Sequence, residues 1–350
     1  MITEEFVRYA KDNRASDIHL VCGIPPKCRI DGQLVSMPFA PLSEEDCYFI
    51  AKEIAGDEFD KIAQIGELDL AKNIAGERVR INLFHQQGTI SSAIRILNSR
   101  IPRLEDLNLP PIVESFSSWN KGIVLVTGET GSGKSTTLAA ILDKINHTRN
   151  AHIITLEDPV EYIYTPDKCV INQREVGKDT KSFYDGLRAV LREDPDIILI
   201  GEMRDPNTIE TAIMAAETGH LVFATLHTNS APDAIDRIVG TFPAERHSQI
   251  RMELSQTLRA VVSQQLLPKM SGVGRAVACE VMIVNPAIRN LIREGKTPQM
   301  FSAMLSGANE GSITMDNALI RMEREKIIDP VTAYQSANDR EYVKKNVGIF

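Results

Sequence analysis

The sequence has no excess of basic residues: 47 Asp and Glu stand against 39 Lys and Arg in 350 residues, a net charge of −8. A protein that works mainly on nucleic acid usually carries a basic stripe. Neither such a stripe nor a basic, aromatic-rich groove is visible, so no nucleic acid is expected as a partner. Cysteines are few and odd in number: Cys22, Cys28, Cys47, Cys169 and Cys279, with no C-x-x-C pair. That excludes a disulfide framework and a zinc site and suits reduced, buried thiols. No stretch approaches the ~20 apolar residues of a membrane span. The opening MITEEFVRYAKDN lacks the apolar core of a signal peptide. The expected location is the cytoplasm, without direct membrane insertion, so that any role at a membrane comes through a partner. Repeats and low-complexity tracts are missing as well.

What is present is an ordinary globular balance, 43% hydrophobic and 25% charged, in a chain long enough for two cores. Residues 3 to 14 read as a short amphipathic helix with Phe6, Val7 and Ala10 on one side. Asp17 to Val21 alternates as a strand does, Gly23 to Pro26 interrupts it, Lys27 to Ile30 resumes it, and Asp31-Gly32 makes a tight hairpin turn. Ser43 followed by Asp46 opens a helix. Glu67 to Leu70, Glu77 to Phe84 and Thr89 to Leu97 are further strand-like runs. Residues 1–98 therefore read as a small α+β domain with an antiparallel sheet. Residues 99–121, with Pro102, Pro110 and Pro111, read as a linker that is ordered, because Leu104, Leu107 and Leu109 need burial. From 122 to 350 the pattern becomes strand-helix-strand-helix. Ile123 to Val126, Ile153 to Leu156, Ile197 to Ile200 and Leu221 to Leu226 are continuous apolar runs, as in parallel strands buried on both faces. A doubly wound α/β domain follows, and the chain beyond about Pro243 reads as mainly helical.

Gly128-Glu129-Thr130-Gly131-Ser132-Gly133-Lys134-Ser135 satisfies G-x-x-x-x-G-K-[ST] at every fixed position. It follows an apolar strand and precedes a helix, continuing through Thr136, whose inner face is Leu138, Ile141, Leu142 and Ile145. The glycines let backbone N–H groups close around phosphate oxygens, and the helix N-terminus adds positive potential. Lys134 reaches toward the β- and γ-phosphates of ATP, and Ser135 is the ligand expected for Mg²⁺.

Asp196 to Glu202 is a strand ending in an acid, and the carboxyl ends of such strands face the ligand. Glu202 would orient or deprotonate the attacking water. Gly201 stands where an Asp would ordinarily hold magnesium; Glu157, Asp158 and Glu161, after the neighbouring strand, offer carboxylates in its place. His220 and His227 flank the run Leu221 to Leu226. His227, at a carboxyl end, suits a γ-phosphate sensor, while a structural role for either histidine is as good a reading.

Taken together, these segments resemble the type IV pilus retraction ATPases, the PilT group of the secretion-ATPase superfamily. The likeness runs nearly the whole length. It includes Ala15 to Leu20, the phosphate loop, an acidic box Thr155 to Glu161, a second acidic strand Asp196 to Asp205 and a histidine box Ala216 to Asn229. It ends with Ala287-Ile288-Arg289-Asn290-Leu291-Ile292-Arg293-Glu294, a motif associated with retraction motors. The resemblance implies a PAS-like N-terminal domain, a RecA-like ATPase domain and a homohexamer that hydrolyses Mg-ATP. The implied partner is the inner-membrane platform protein of the pilus machine, which would hold the protein at the membrane periphery. It makes Glu202 the principal catalytic acid with Glu161 its partner, His220 and His227 the histidine-box residues, and Arg80 and Arg95 arginines that reach the phosphates. On the residues alone, Arg80 and Arg95 are equally ordinary arginines of an exposed sheet face. The segment 287–294 reads physically as an amphipathic helix, with Ala287, Ile288, Leu291 and Ile292 inward; its part in retraction comes only from the family.

Pilus-extension and secretion ATPases resemble longer chains with an additional N-terminal domain and a four-cysteine zinc motif. This sequence shows neither, which favours retraction. A nucleotide-dependent switch with little turnover is a different class of reading, and Gly201 favours it slightly. The intact Lys134, Ser135, Glu161 and Glu202 oppose it.

Overall fold

Alternation of buried and outward side chains in the first hundred residues builds one antiparallel sheet. Its strands are β1 (Asp17–Leu20), β2 (Lys27–Ile30), β3 (Gln33–Ser36), β4 (Glu67–Ile74), β5 (Glu77–Gln86) and β6 (Thr89–Ile96), in the order β3-β2-β1-β6-β5-β4. These positions come from a computed structural model that describes residues 2–30, 32–97 and 100–348. Asp31 of the expected hairpin turn and Asn98 and Ser99 at the expected domain boundary lie outside the described residues.

On β5, Val79, Ile81 and Leu83 are fully buried, while Arg78, Arg80 and Asn82 take the opposite face. The helices Ile2–Asp12 and Glu44–Ala55 cover the buried face with Phe6, Val7, Ala10, Cys47, Ile50 and Ile54. The second helix begins where Ser43 and Asp46 place it. The Asp46 N–H donates to Ser43 Oγ at 3.1 Å and the Ser43 N–H to Asp46 Oδ2 at 2.8 Å, a complete capping box.

The remaining strands are β7 (Gly122–Thr127), β8 (His152–Glu157), β9 (Val170–Glu175), β10 (Ile197–Ile200), β11 (Leu221–Leu226), β12 (Leu258–Pro268) and β13 (Arg275–Ile283). They form a second sheet in the order β13-β12-β7-β11-β10-β8-β9. All its pairings are parallel except β12 with β13. The four apolar runs seen in the sequence are β7, β8, β10 and β11, and every residue of β7, β10 and β11 is buried. Helices on both faces complete the core, among them Lys134–Thr148, Pro206–Glu217 and Ala231–Gly240.

The region after Pro243 is mainly helical, as expected, but it also holds a strand pair that the sequence reading did not include. β12 and β13 are the longest strand pair of this sheet and extend it beyond β7. The helix His247–Thr257 precedes them and further helices follow from Pro286; the later ones, with Met315, Leu319, Ile328 and Val343, pack with Leu267 and Ala278 of the strand pair into a smaller core.

The chain separates into two compact units, Met1–Arg100 with Pro159–Ile163, and Ile101–Asp158 with Tyr164–Phe350. The stretch 101–121 lies in the second. Leu104, Val113 and Phe116 are buried there, and Leu107 and Leu109 half-buried. Lys144, on the helix after the phosphate loop, binds Glu105 at 2.8 Å and also Glu114. Among the described residues, no helix is long and apolar enough to cross a membrane. All five thiols are free; burial pushes Cys47 up to about 11 and Cys279 up to about 12, so neither is reactive at neutral pH.

Candidate nucleotide site

Strand β7 ends at Thr127, and residues 128–133 turn directly into the helix Lys134–Thr148. Gly128 has φ +138°, and a Cβ there would lie 2.4 Å from the Gln264 carbonyl oxygen and 2.6 Å from Ser132 Oγ, so only glycine fits. Gly133 is the helix N-cap at φ 95° and brings no side chain to it, which leaves the first-turn N–H groups directed out of the helix toward an anion. Lys134 is almost wholly buried, and its ammonium donates to the carbonyls of Gly128 at 2.8 Å and Glu129 at 2.9 Å. Ser132 Oγ is buried without a hydrogen-bond partner among the described residues. A buried cation resting on carbonyls and an orphaned hydroxyl are what a phosphate group would satisfy. Glu129, Thr130, Gly131 and Ser135 are exposed around this cradle, and Thr136 is half-buried.

The parallel register brings two further groups to the same edge. β11 lies beside β7 with Leu226 opposite Thr127, so His227 leaves the sheet next to the phosphate loop. β10 lies beyond β11 and ends at Ile200, just before Glu202. Two strand spacings put Glu202 about 10 Å across from the end of β7, room for a phosphate and a water. The Glu202 loop is tied on both sides. The Gly201 N–H donates to the Leu156 carbonyl at 2.7 Å, Thr225 Oγ1 donates to the Gly201 carbonyl at 2.5 Å, and the Met203 N–H donates to the Thr225 carbonyl at 3.2 Å. Glu202 Oε1 lies 3.2 Å from His227 Nε2 and 2.5 Å from Arg204 Nε, within ion-pair distance of both.

Gly201 has a steric reason. A Cβ there would come within 3.1 Å of the Leu156 carbonyl and 3.2 Å of Glu157 Cα. The backbone of β8 fills the space an Asp would need. The neighbouring Glu157 is already oriented: Thr155 Oγ1 donates to Glu157 Oε1 at 2.6 Å and Gln173 Nε2 at 3.3 Å.

The other expected residues fall elsewhere. His220 is at the amino end of β11, about 23 Å from His227 for seven residues of strand. Its Nδ1 faces the Ala215 carbonyl at 2.8 Å and its carbonyl accepts from the Gly122 N–H at 3.0 Å, so it stands apart from the phosphate loop of its own chain. Glu161, half-buried, belongs to the first unit, where Arg78 Nε donates to the neighbouring Val160 carbonyl at 3.3 Å. Arg80 and Arg95 are direct cross-strand neighbours on the outward face of the first sheet. Arg95 Nε binds Asp17 Oδ1 at 2.9 Å, and Arg80 reaches Asp69 at 3.6 Å. Asp17 is partly buried, which opposes ionisation, yet the Ser16 hydroxyl and Arg95 hold its carboxyl below the usual range. Two arginines directly opposite each other repel, and each is offset by its own acid, Asp69 for Arg80 and Asp17 for Arg95. Arg204 was missed in the sequence. Its signal was its place two residues after Glu202 at the carboxyl end of a strand, within ion-pair reach of that acid.

A family model described as "Type II/IV secretion system protein" matches residues 73–309, more than half of the chain. The chain belongs to that family. It is 44% identical over 335 residues to the "Type IV pilus retractation ATPase PilT" of Pseudomonas aeruginosa, covering 95% of this chain and 97% of that protein. It is 43% identical to the "Twitching motility protein" of Neisseria gonorrhoeae, covering 90% of this chain and 85% of that one. The crystal structure of the pilus retraction motor PilT with bound ADP superposes with a TM-score of 0.91 at 44% identity, over 98% of both chains. As a PilT-group member of the secretion family, the chain is a nucleotide-binding ATPase of mixed α/β fold, with a RecA-like ATPase sheet and a separate N-terminal domain.

Proposed function

We propose that this ATPase is a type IV pilus retraction motor, a homohexameric ring that couples hydrolysis of Mg-ATP to pilus disassembly. One observation carries the reading. The carboxyl ends of the adjacent parallel strands β7, β11 and β10 hold a complete phosphate loop, His227 and the Glu202 carboxylate, in a chain alike over nearly its full length to a retraction motor.

In the proposed reaction Lys134 leaves the Gly128 and Glu129 carbonyls for the β- and γ-phosphates of ATP. Backbone N–H groups of residues 128–136 and the Ser132 hydroxyl complete the cradle. Ser135 would hold Mg²⁺, with Glu157 and Asp158 supplying the carboxylates that Gly201 cannot; the bound ion neutralises phosphate charge. Glu202 orients the attacking water and takes its proton, assisted by Glu161, and His227, 3.2 Å from Glu202, reports the γ-phosphate to it. Arg80 and Arg95 are the arginines assigned to offset charge developing on the phosphates. The domain bounds that go with this reading are 1–98, 99–121 and 122–350. The partner is the inner-membrane platform protein of the pilus machine, so the working location is the cytoplasmic face of that membrane.

Expression in a piliated bacterium that lacks its own retraction ATPase tests the proposal. Wild-type protein should restore twitching and Glu202→Gln should not. Failure of the wild type to restore motility, with the protein present and hydrolysing ATP, would refute the retraction role.

A further inference from the structure

Glu280 lies mid-strand in β13, fully buried in the second unit. Both oxygens of its carboxylate are used. Oε1 accepts from the Ala231 N–H at 2.7 Å and Oε2 from the Met315 N–H at 3.1 Å. Ala231 opens the helix Ala231–Gly240 and Met315 opens the helix Met315–Arg324. Each helix already has a side-chain cap of its own, Ser230 and Thr314, so Glu280 is a second acceptor shared by both. The positive ends of two helices make a carboxylate tolerable here, yet a buried charge is a costly way to hold two helices if holding them is all it does.

The surroundings of Glu280 lead to the site. It pairs in register with Ser263 on β12, and Ser263 pairs with Thr127 on β7. The Ser263 and Thr127 hydroxyls are hydrogen-bonded at 2.7 Å. Thr127 is the residue before Gly128 of the phosphate loop, and Ala231 follows His227 by four residues. A polar row thus crosses an apolar sheet from the phosphate-loop strand to a carboxylate that grips the helix behind His227. The same carboxylate grips the first helix of the C-terminal core. The charged groups facing Glu280 are Asp233 and Asp316, in the first turns of the two helices; the β12 neighbour Ser263 is uncharged. Burial above all, then these two acids, pushes the Glu280 carboxyl up to about 7, against the pull of the two N–H donors.

We propose that Glu280 is a positioning residue for ATP hydrolysis, whose single ionised carboxylate locks the helix Ala231–Gly240, which follows the His227 loop, and the helix Met315–Arg324 to the phosphate-loop strand. Protonation removes one acceptor and loosens one of the two helices.

The test is the pH profile of ATP turnover by wild-type protein, Glu280→Gln and Glu280→Asp, with nucleotide binding measured separately. The glutamine keeps an oxygen for one N–H but turns an amide donor toward the other. A displacement near 1 Å at the reacting groups costs up to about 10²-fold, so kcat of Glu280→Gln should fall at least about tenfold. Its KM for ATP should move less than about threefold, because the phosphate loop is intact. Wild type should lose turnover on acidification through pH 7; Glu280→Gln should lack that limb and Glu280→Asp should regain it. The folded state, by contrast, gains stability on the same acidification. A carboxyl raised in the fold contributes stability that is complete below its unfolded range and is lost as pH rises through about 7. Wild-type kcat and an unchanged profile in Glu280→Gln would overturn the proposal. If that variant does not fold, a flat wild-type profile from pH 6 to 8, or an acid limb unmoved in Glu280→Asp, would overturn it instead.

Discussion

Replacing Glu202 by Gln separates hydrolysis from binding more cleanly than any other single change. The side chain keeps its shape and can still receive the Arg204 hydrogen bond on its oxygen. It loses the charge that would draw a proton from water. General-base assistance contributes about 10²–10⁴-fold, which is about 2.7–5.4 kcal/mol on the barrier. The cost to folding is small. Glu202 is only partly buried and Arg204 is largely exposed, and such pairs contribute about 0–1 kcal/mol. The phosphate loop sits two strands away on β7, so affinity for ATP should hold within about threefold. The assay is phosphate release at saturating Mg-ATP beside equilibrium binding of a fluorescent nucleotide. Loss of hydrolysis with binding and thermal midpoint preserved is the expected result. Turnover within about threefold of wild type would remove Glu202 from the water-activating role, and loss of binding in step with turnover would make it a structural residue.

Other outcomes follow from the same geometry. Lys134→Ala should abolish nucleotide binding in a calorimetric titration while the protein still unfolds cooperatively, because the ammonium holds the Gly128 and Glu129 carbonyls of the loop. Gly201→Asp should not improve activity despite supplying the missing acid; crowding against the β8 backbone should destabilise the protein by about 1–3 kcal/mol in chemical denaturation. Arg80→Ala should leave stability within about 1 kcal/mol, since it relieves the repulsion of Arg95, while kcat falls at least about tenfold if the arginine serves the phosphates. Thermal midpoints should rise as pH falls from 8 to 6, the direction set by Glu280, and a midpoint independent of pH would show that its carboxyl is not raised.

The parallel core was legible because strands buried on both faces are written as unbroken apolar runs, and each of the four was found within a residue or two. The phosphate loop was legible because its glycines, lysine and serine are required by backbone geometry and lie within eight consecutive residues. β12 and β13 were not. Leu258–Pro268 mixes Ser263, Gln264 and Gln265 into its apolar positions, because Ser263 and Gln264 bond to Thr127 and Thr137 beside the phosphate loop and Gln265 to the Ser336 carbonyl, and their polarity hides the strand. Ala287 was expected on the buried face of its helix and is exposed, whereas Ile288 and Ile292 are buried and Arg289 is half-buried; the stripe there is narrower than an apolar count suggests. The meeting of His227 with Glu202, and the distance between His227 and His220, depend on strand order and direction, which are set by pairing across dozens of intervening residues. Glu280 gave no signal, since one acid in a strand of valines and alanines reads as surface until its two helix partners are seen.

The ring motor is tested most directly by ATP turnover of the purified protein across a concentration series, with assembly followed by light scattering. Turnover per subunit should rise steeply as six-subunit particles form. Constant turnover per subunit from monomer to assembled ring, or assembled rings that bind ATP and do not hydrolyse it, would contradict the account.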